Sequence, residues 1–170
     1  KIKDIIFAIP KNKKNNALKS HIKSKNYLYY EGSETNVLNR IFLAAKKFNT
    51  NHVIRLTADC PLIDGETLDE HIDYYFKSNG SYITNQIQRT YPDGYDIEII
   101  SYDLLKNLNK ITKLKEDKEH VTTYLKRNIK NIDTYHFKKD LSHIRLTLDY
   151  KNDLFFLKKL INNFNKIDFT

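Results

Sequence analysis

Asp59 and Asp149 are the two side chains whose type and placement most directly suggest chemistry. Each follows a stretch that reads as a β-strand, residues 52–57 and residues 144–148. In open α/β sheets, ligands sit beyond the carboxyl ends of the strands. Carboxylates are hard oxygen ligands, and Mg²⁺ is typically held by one or two of them together with substrate phosphate oxygens. If the two strands are near neighbours, both aspartates face one crevice and could share a divalent cation. The plainer alternative is that each aspartate caps the turn after it, as Asp commonly does. Spacing alone favours that alternative.

The elements that would position these groups alternate along the chain. Residues 4–9 (D-I-I-F-A-I), closed by Pro10, read as a strand buried on both faces. A polar turn at 11–16 leads to a short helix at 17–25 and a second strand at 27–30. Residues 36–48 form the clearest amphipathic helix. Val37, Ile41, Ala44, Ala45 and Phe48 recur at spacings of three and four, and Asn36 is placed to cap the N-terminus. After the strand at 52–57 and a loop at 58–64, a helix at 65–79 carries Leu68, Ile72 and Tyr75 or Phe76 on one side.

The spacing then predicts a strand at 81–84, a turn at Tyr91-Pro92-Asp93-Gly94, a strand at 96–100 and a helix at 102–109. A helix at 119–128, strands at 133–137 and 144–148, and a terminal helix at 151–165 complete the reading. Repeated strand–helix–strand units argue for a mostly parallel or mixed sheet covered by helices. No repeat or linker divides the chain, so residues 1–170 are expected to form a single domain.

Composition bounds the function. The 170 residues contain 29 Lys and Arg against 21 Asp and Glu, a net charge of +8 that favours anionic partners or a solvated basic surface. One Cys gives neither a disulfide framework nor a zinc cluster, which fits a reducing compartment. No apolar run approaches the roughly 20 residues of a membrane span, and no signal-peptide pattern opens the chain. A membrane partner is not expected, and a cytoplasmic location is. Met is absent throughout, so the sequence as written is not expected to be a whole primary translation product.

Five segments, in order, resemble the sugar cytidylyltransferase family. Arg55-Leu56-Thr57-Ala58-Asp59-Cys60-Pro61-Leu62-Ile63-Asp64 is similar to its R-x-T-x-D-C-P-L-I-D stretch. Gly32-Ser33-Glu34 with Val37, Leu38 and Arg40 resembles G-S-E-x-D-V-L-x-R. Residues 91–98 (Y-P-D-G-Y-D-I-E) resemble Y-P-D-G-x-D-x-E, and Glu119-His120-Val121-Thr122 with Tyr124 resembles E-H-V-T-x-Y. Leu141, Ser142, Arg145, Thr147, Asp149, Asp153 and Leu154 follow the closing L-S-x-x-R-x-T-x-D-x-x-x-D-L segment. The likeness is closest to the spore-coat polysaccharide biosynthesis protein F group.

The resemblance implies a GT-A-like, Rossmann-like α/β fold and attack by a sugar hydroxyl on the α-phosphorus of CTP, with release of pyrophosphate. It makes Asp59 and Asp149 catalytic ligands of Mg²⁺. Arg55 and Arg40 become candidates for phosphate or base, with ion pairs to nearby acids as the alternative. Asp93, Asp96 and Glu98 are candidates to accept from sugar hydroxyls, and strand alternation puts Asp96 and Glu98 on one face. His120 is a candidate sugar or phosphate contact, whereas Cys60 reads as a small buried filler.

Two departures stand out. Asn36 replaces the family's Asp. The family's first strand and basic, Gly-containing phosphate loop are absent, so a strand–loop–helix unit of about 30 or more residues is expected upstream. Without that cradle this chain alone is expected to be inactive. The resemblance leaves a homodimer open. Competing readings are a non-catalytic sugar- or nucleotide-binding relative and a basic nucleic-acid-binding domain. The lysines are scattered and no nucleic-acid signature is present, so nucleic acid is not the expected partner.

Overall fold

The computed structural model describes residues 1–130 and 132–163. The chain gathers into two compact units, residues 1–53 with 101–131 and residues 54–100 with 132–170. Charge is divided unevenly between them. The first holds 19 Lys and Arg against 7 Asp and Glu, a net +12, whereas the second holds 10 against 14, a net −4.

In the first unit, β1 (Ile6–Pro10), α1 (Asn16–Ser24) and β2 (Leu28–Gly32) form a strand–helix–strand crossover. The strands pair in parallel from Ile6 opposite Leu28 to Pro10 opposite Gly32. Helix α2 (Val37–Lys47) packs on both strands, and Asn36 caps it by accepting from the Asn39 N–H at 3.0 Å. That is the cap geometry expected of an amide side chain. The full burial expected for β1 does not occur. Only Ile9 is buried, while Phe7 stays exposed, because β2 is its one strand partner among the described residues.

Helices α4 (Tyr102–Ile111), α5 (Lys115–Glu119) and α6 (Thr123–Asn128) complete this unit. The single helix expected over 119–128 is broken. Val121 has φ 59°, and the Thr122 N–H donates to the His120 carbonyl at 2.6 Å, making a tight reversal between α5 and α6. A β-branched residue rarely occupies this region, so neighbouring contacts must enforce it. Val121, Thr122 and Leu125 are all buried, and Arg127 reaches back to both oxygens of the buried Asp117 at 2.8 and 2.7 Å.

The second unit is built on a sheet in the order β3-β5-β4-β6, where β3 is His52–Leu56, β4 Tyr82–Thr84, β5 Ile97–Ser101 and β6 Asp133–Thr134. β4 runs antiparallel to β5 and parallel to β6. Helix α3 (Gly65–Ser78) lays Ile72 and Tyr75 against Ile83, Ile97 and Ile99 to form the core. The α/β class with mixed sheets and covering helices is therefore as expected. The strand expected at 133–137 shortens to two residues. Residues 144–148 form no strand, as the next subsection explains. Helix α7 spans Lys151–Asn163, and residues 164–165 of the expected terminal helix lie outside the described residues. Among the described residues, no helix is long and apolar enough to cross a membrane.

His71 on α3 is fully buried among the rings of Tyr91 and Tyr135, at 5.2 and 4.7 Å. Its Nδ1–H donates to the Thr67 carbonyl at 2.7 Å. Burial holds the imidazole below its ordinary value, against the smaller opposing effect of that bond. The unfolded chain takes up this proton near pH 6.5 and the folded chain only at lower pH. Stability is therefore retained above about pH 6.5 and falls below it, by at most about 1.4 kcal/mol per pH unit from this group. Thermal melts between pH 7.5 and 5.5 should show the decline, and His71→Phe should flatten it. An equal decline in both proteins would assign the effect elsewhere.

Candidate active site

Residues 144–148 alternate apolar and polar residues as a strand does, but their backbone groups bond to loops. The Asp93 N–H donates to the Ile144 carbonyl at 2.9 Å, and the Leu146 N–H returns to the Asp93 carbonyl at 2.6 Å. The Leu148 N–H donates to the Asp59 carbonyl at 2.8 Å. Among the described residues, its one ladder contact is an isolated parallel bridge between Asp93 and Arg145. This segment stitches the turn at 91–95 to the loop after β3, and so seats Asp149 one residue beyond a direct bond to Asp59.

Gly94 makes that stitch fit. Its φ is 104°, and a Cβ there would lie 2.7 Å from the Leu146 carbonyl carbon and 2.8 Å from the Thr147 nitrogen. Only glycine offers both the conformation and the space. Asn85 supports the turn from beneath, donating to the Tyr95 carbonyl at 2.5 Å and accepting from the Ile97 N–H at 3.0 Å.

Four carboxylates decorate this edge of the second unit. Asp59 is half-buried and Asp149 exposed. Asp93 and Asp96 share Arg89, whose Nη1 lies 3.3 Å from Asp93 and 2.6 Å from Asp96. Cys60 sits between Asp59 and Asp96. Its thiol lies 3.3 Å from Thr57 Oγ1, 3.7 Å from Asp59 Oδ1 and against the Asp96 backbone. Burial pushes this thiol up, so it stays protonated and serves as packing. Asp64, at the end of the same loop, caps α3 by accepting from the Thr67 N–H at 2.8 Å.

Glu98 is placed differently from Asp96. It is 1% exposed, its Oε2 accepts from Arg55 Nη1 at 2.5 Å, and its Oε1 accepts from the Tyr82 hydroxyl at 2.7 Å. The pocket face expected to carry both acids therefore carries Asp96 alone, and Glu98 is an anchor for Arg55. Removing one partner of a buried ion pair leaves an uncompensated charge. Glu98→Ala should cost about 3 kcal/mol, read as a lower urea midpoint with an unchanged slope. A loss below about 0.5 kcal/mol would put this pair with ordinary surface bridges.

Arg40 and His120 belong to the first unit. Arg40 packs over Gly32 and donates to the Ser33 carbonyl at 2.6 Å, and His120 is exposed at the break between α5 and α6. The second unit thus gathers Asp59, Asp149, Asp93, Asp96 and Arg55. Arg89 and Arg145 carry no assigned role in the sequence reading, although each lies four residues before an aspartate that it pairs with. That spacing is the signal that could have found them. Tyr91, at the start of the turn at 91–94, is a buried ring packed 5.1 Å from Phe137.

Among the described residues, no group of three or more His, Cys, Asp or Glu is arranged to hold a metal. The donor set therefore does not fit a closed, all-protein metal centre. Two carboxylates at one edge do fit Mg²⁺, which keeps waters and takes its remaining oxygens from phosphate.

The comparisons with known proteins agree with this architecture. A solved cytidylyltransferase from Leptospira borgpetersenii serovar Hardjo-bovis is 32% identical with a TM-score of 0.88, covering 93% of this chain and 68% of its own. An uncharacterized protein of Methanocaldococcus jannaschii is 29% identical over 99% of this chain and 70% of its own length. The spore coat polysaccharide biosynthesis protein SpsF of Bacillus subtilis is 29% identical over 92% of this chain and 66% of its own. The chain thus spans about two thirds of the length of these relatives. The family model described as Cytidylyltransferase matches residues 1–166, and the chain belongs to that family.

Proposed function

We propose that this chain is the core of an enzyme that transfers CMP from CTP to a sugar, with release of pyrophosphate, in the synthesis of a surface polysaccharide. The observation that supports the reading is the bond from the Leu148 N–H to the Asp59 carbonyl, which brings the backbone of Asp59 beside the residue that precedes Asp149. Asp59 and Asp149 would hold Mg²⁺, which when bound neutralises charge on the α-phosphate and the departing pyrophosphate. The chain's own residues act by positioning and by fixed charge. Asp93 and Asp96, held by Arg89, accept from sugar hydroxyls. Arg55, anchored by Glu98, meets phosphate, and Arg40 and His120 are assigned to substrate on their motif match.

The net charge of +8 on the whole chain supports an anionic substrate. The bond that forms joins the sugar oxygen to the α-phosphorus, and the bond that breaks frees pyrophosphate. The test is pyrophosphate release from CTP by the full-length gene product with a panel of sugars, with and without Mg²⁺. Release that needs both sugar and metal supports the reading. CTP binding without turnover on any sugar would point to a non-catalytic relative. Steeply salt-dependent retention of oligonucleotides would point to nucleic acid instead.

A further inference from the structure

Asp149 does not stand alone at its edge. Arg145 Nη2 donates to Asp149 Oδ2 at 2.7 Å, while Nη1 and Nη2 also grip Asp153 at 2.7 and 3.0 Å. Asp153 Oδ2 in turn accepts from the backbone N–H groups of Asp149 and Tyr150, both at 2.8 Å. The guanidinium also lies over the Tyr150 ring, 5.8 Å from its centroid. At the backbone, Arg145 is pinned on both sides by the bonds of Ile144 and Leu146 to Asp93. One planar fork thus ties the Asp149 side chain to the start of α7 and to the turn at 91–95, and it uses only one Asp149 oxygen.

We propose that Arg145 is a positioning residue that sets the divalent-cation affinity of the Asp59–Asp149 pair by holding Asp149 in one orientation. The inference rests on the metal reading above and deepens it. Two effects oppose each other. A fixed cation repels a metal ion, so by charge alone Arg145 weakens binding. A carboxylate pre-oriented by a hydrogen-bonded partner binds more tightly, and loss of such a partner typically lowers metal affinity ten- to a hundredfold. Asp149 and Asp153 together outweigh the single charge of Arg145, and the fork leaves the second Asp149 oxygen for the metal. Orientation is the larger effect.

Lysine separates the two effects, because it keeps the charge but cannot fork two carboxylates. Mn²⁺ alone, titrated into the full-length protein without nucleotide and followed by the spin resonance of the free ion, reads affinity directly. Arg145→Lys should bind Mn²⁺ about tenfold or more weakly than the parent. Arg145→Gln should fall between them, since removing the charge offsets part of the lost orientation. Asp153→Asn keeps a side-chain oxygen that can accept from the Asp149 and Tyr150 N–H groups, and it loosens the fork. It should also weaken Mn²⁺ binding, and it carries the test if the Arg145 variants fail to fold.

Arg145→Lys binding within twofold of the parent, or Arg145→Gln binding more tightly than the parent, would overturn the proposal. Asp59→Asn and Asp149→Asn run in the same titration. If these two bind Mn²⁺ like the parent, the metal reading fails and takes the positioning role with it. If they weaken binding and Arg145→Lys does not, only the positioning role fails.

Discussion

Asp59→Asn and Asp149→Asn should each lower Mg²⁺-dependent pyrophosphate release by about a thousandfold or more, while each protein melts within a few degrees of the parent. The size follows from the several kcal/mol that a bound cation contributes to charge stabilisation, at about 1.4 kcal/mol per factor of ten. An amide keeps the shape of the side chain but loses the charge that holds a hard cation. Folding is spared because the Asp59 contact to Leu148 uses the backbone carbonyl, which the substitution does not alter. Asp149 is exposed and its bridge to Arg145 lies at the surface, where such pairs contribute little to stability. A variant that kept more than a tenth of parental turnover would remove that residue from the metal site. A variant that lost its fold would show that the aspartate is structural.

Gly94→Ala should be the most damaging single methyl group in the second unit. Backbone in the left-handed region costs a non-glycine residue about 1–3 kcal/mol. Here the added carbon would also press on the main chain of Leu146 and Thr147, which cannot swing aside as a side chain can. With the overpacking cost added, the loss should reach about 3 kcal/mol or more. The turn and the 144–149 segment would have to separate, breaking the two Asp93 backbone bonds and carrying Asp149 away from Asp59. Turnover should therefore collapse even at temperatures where the variant remains folded. A Gly94→Ala protein with parental stability and activity would show that the segment has slack that this packing denies it.

Much of this was legible in the sequence where local pattern and tertiary role coincide. Helix α2 was readable because its apolar side chains recur at three and four and Asn36 is a competent cap, although Leu38, its most buried residue, lies outside that set, with the buried Ala44 and Ala45 within it. Asp59 and Asp149 stand out in the sequence as candidates because each follows a β-like run, and the bond from the Leu148 N–H to the Asp59 carbonyl brings those two stretches together. The rest depends on partners far along the chain. Residues 144–148 have the alternation of a strand, yet their bonds go to Asp59 and Asp93 in loops, and no periodicity reveals where an N–H will point. The break at Val121 runs against the intrinsic preference of a β-branched residue, so only the packing around it could reveal it. Glu98 was placed on a face with Asp96 by alternation, but the sheet buries that position against Arg55 and Tyr82.

The most direct measurement is a crystal structure of the full-length protein soaked with Mn²⁺ and a non-hydrolysable CTP analogue, phased on the anomalous signal of the metal. A peak at about 2.1 Å from oxygens of both Asp59 and Asp149, the range for a small hard cation, is the predicted result. A peak bound by neither aspartate, or by one of them with the other turned away, would contradict the account.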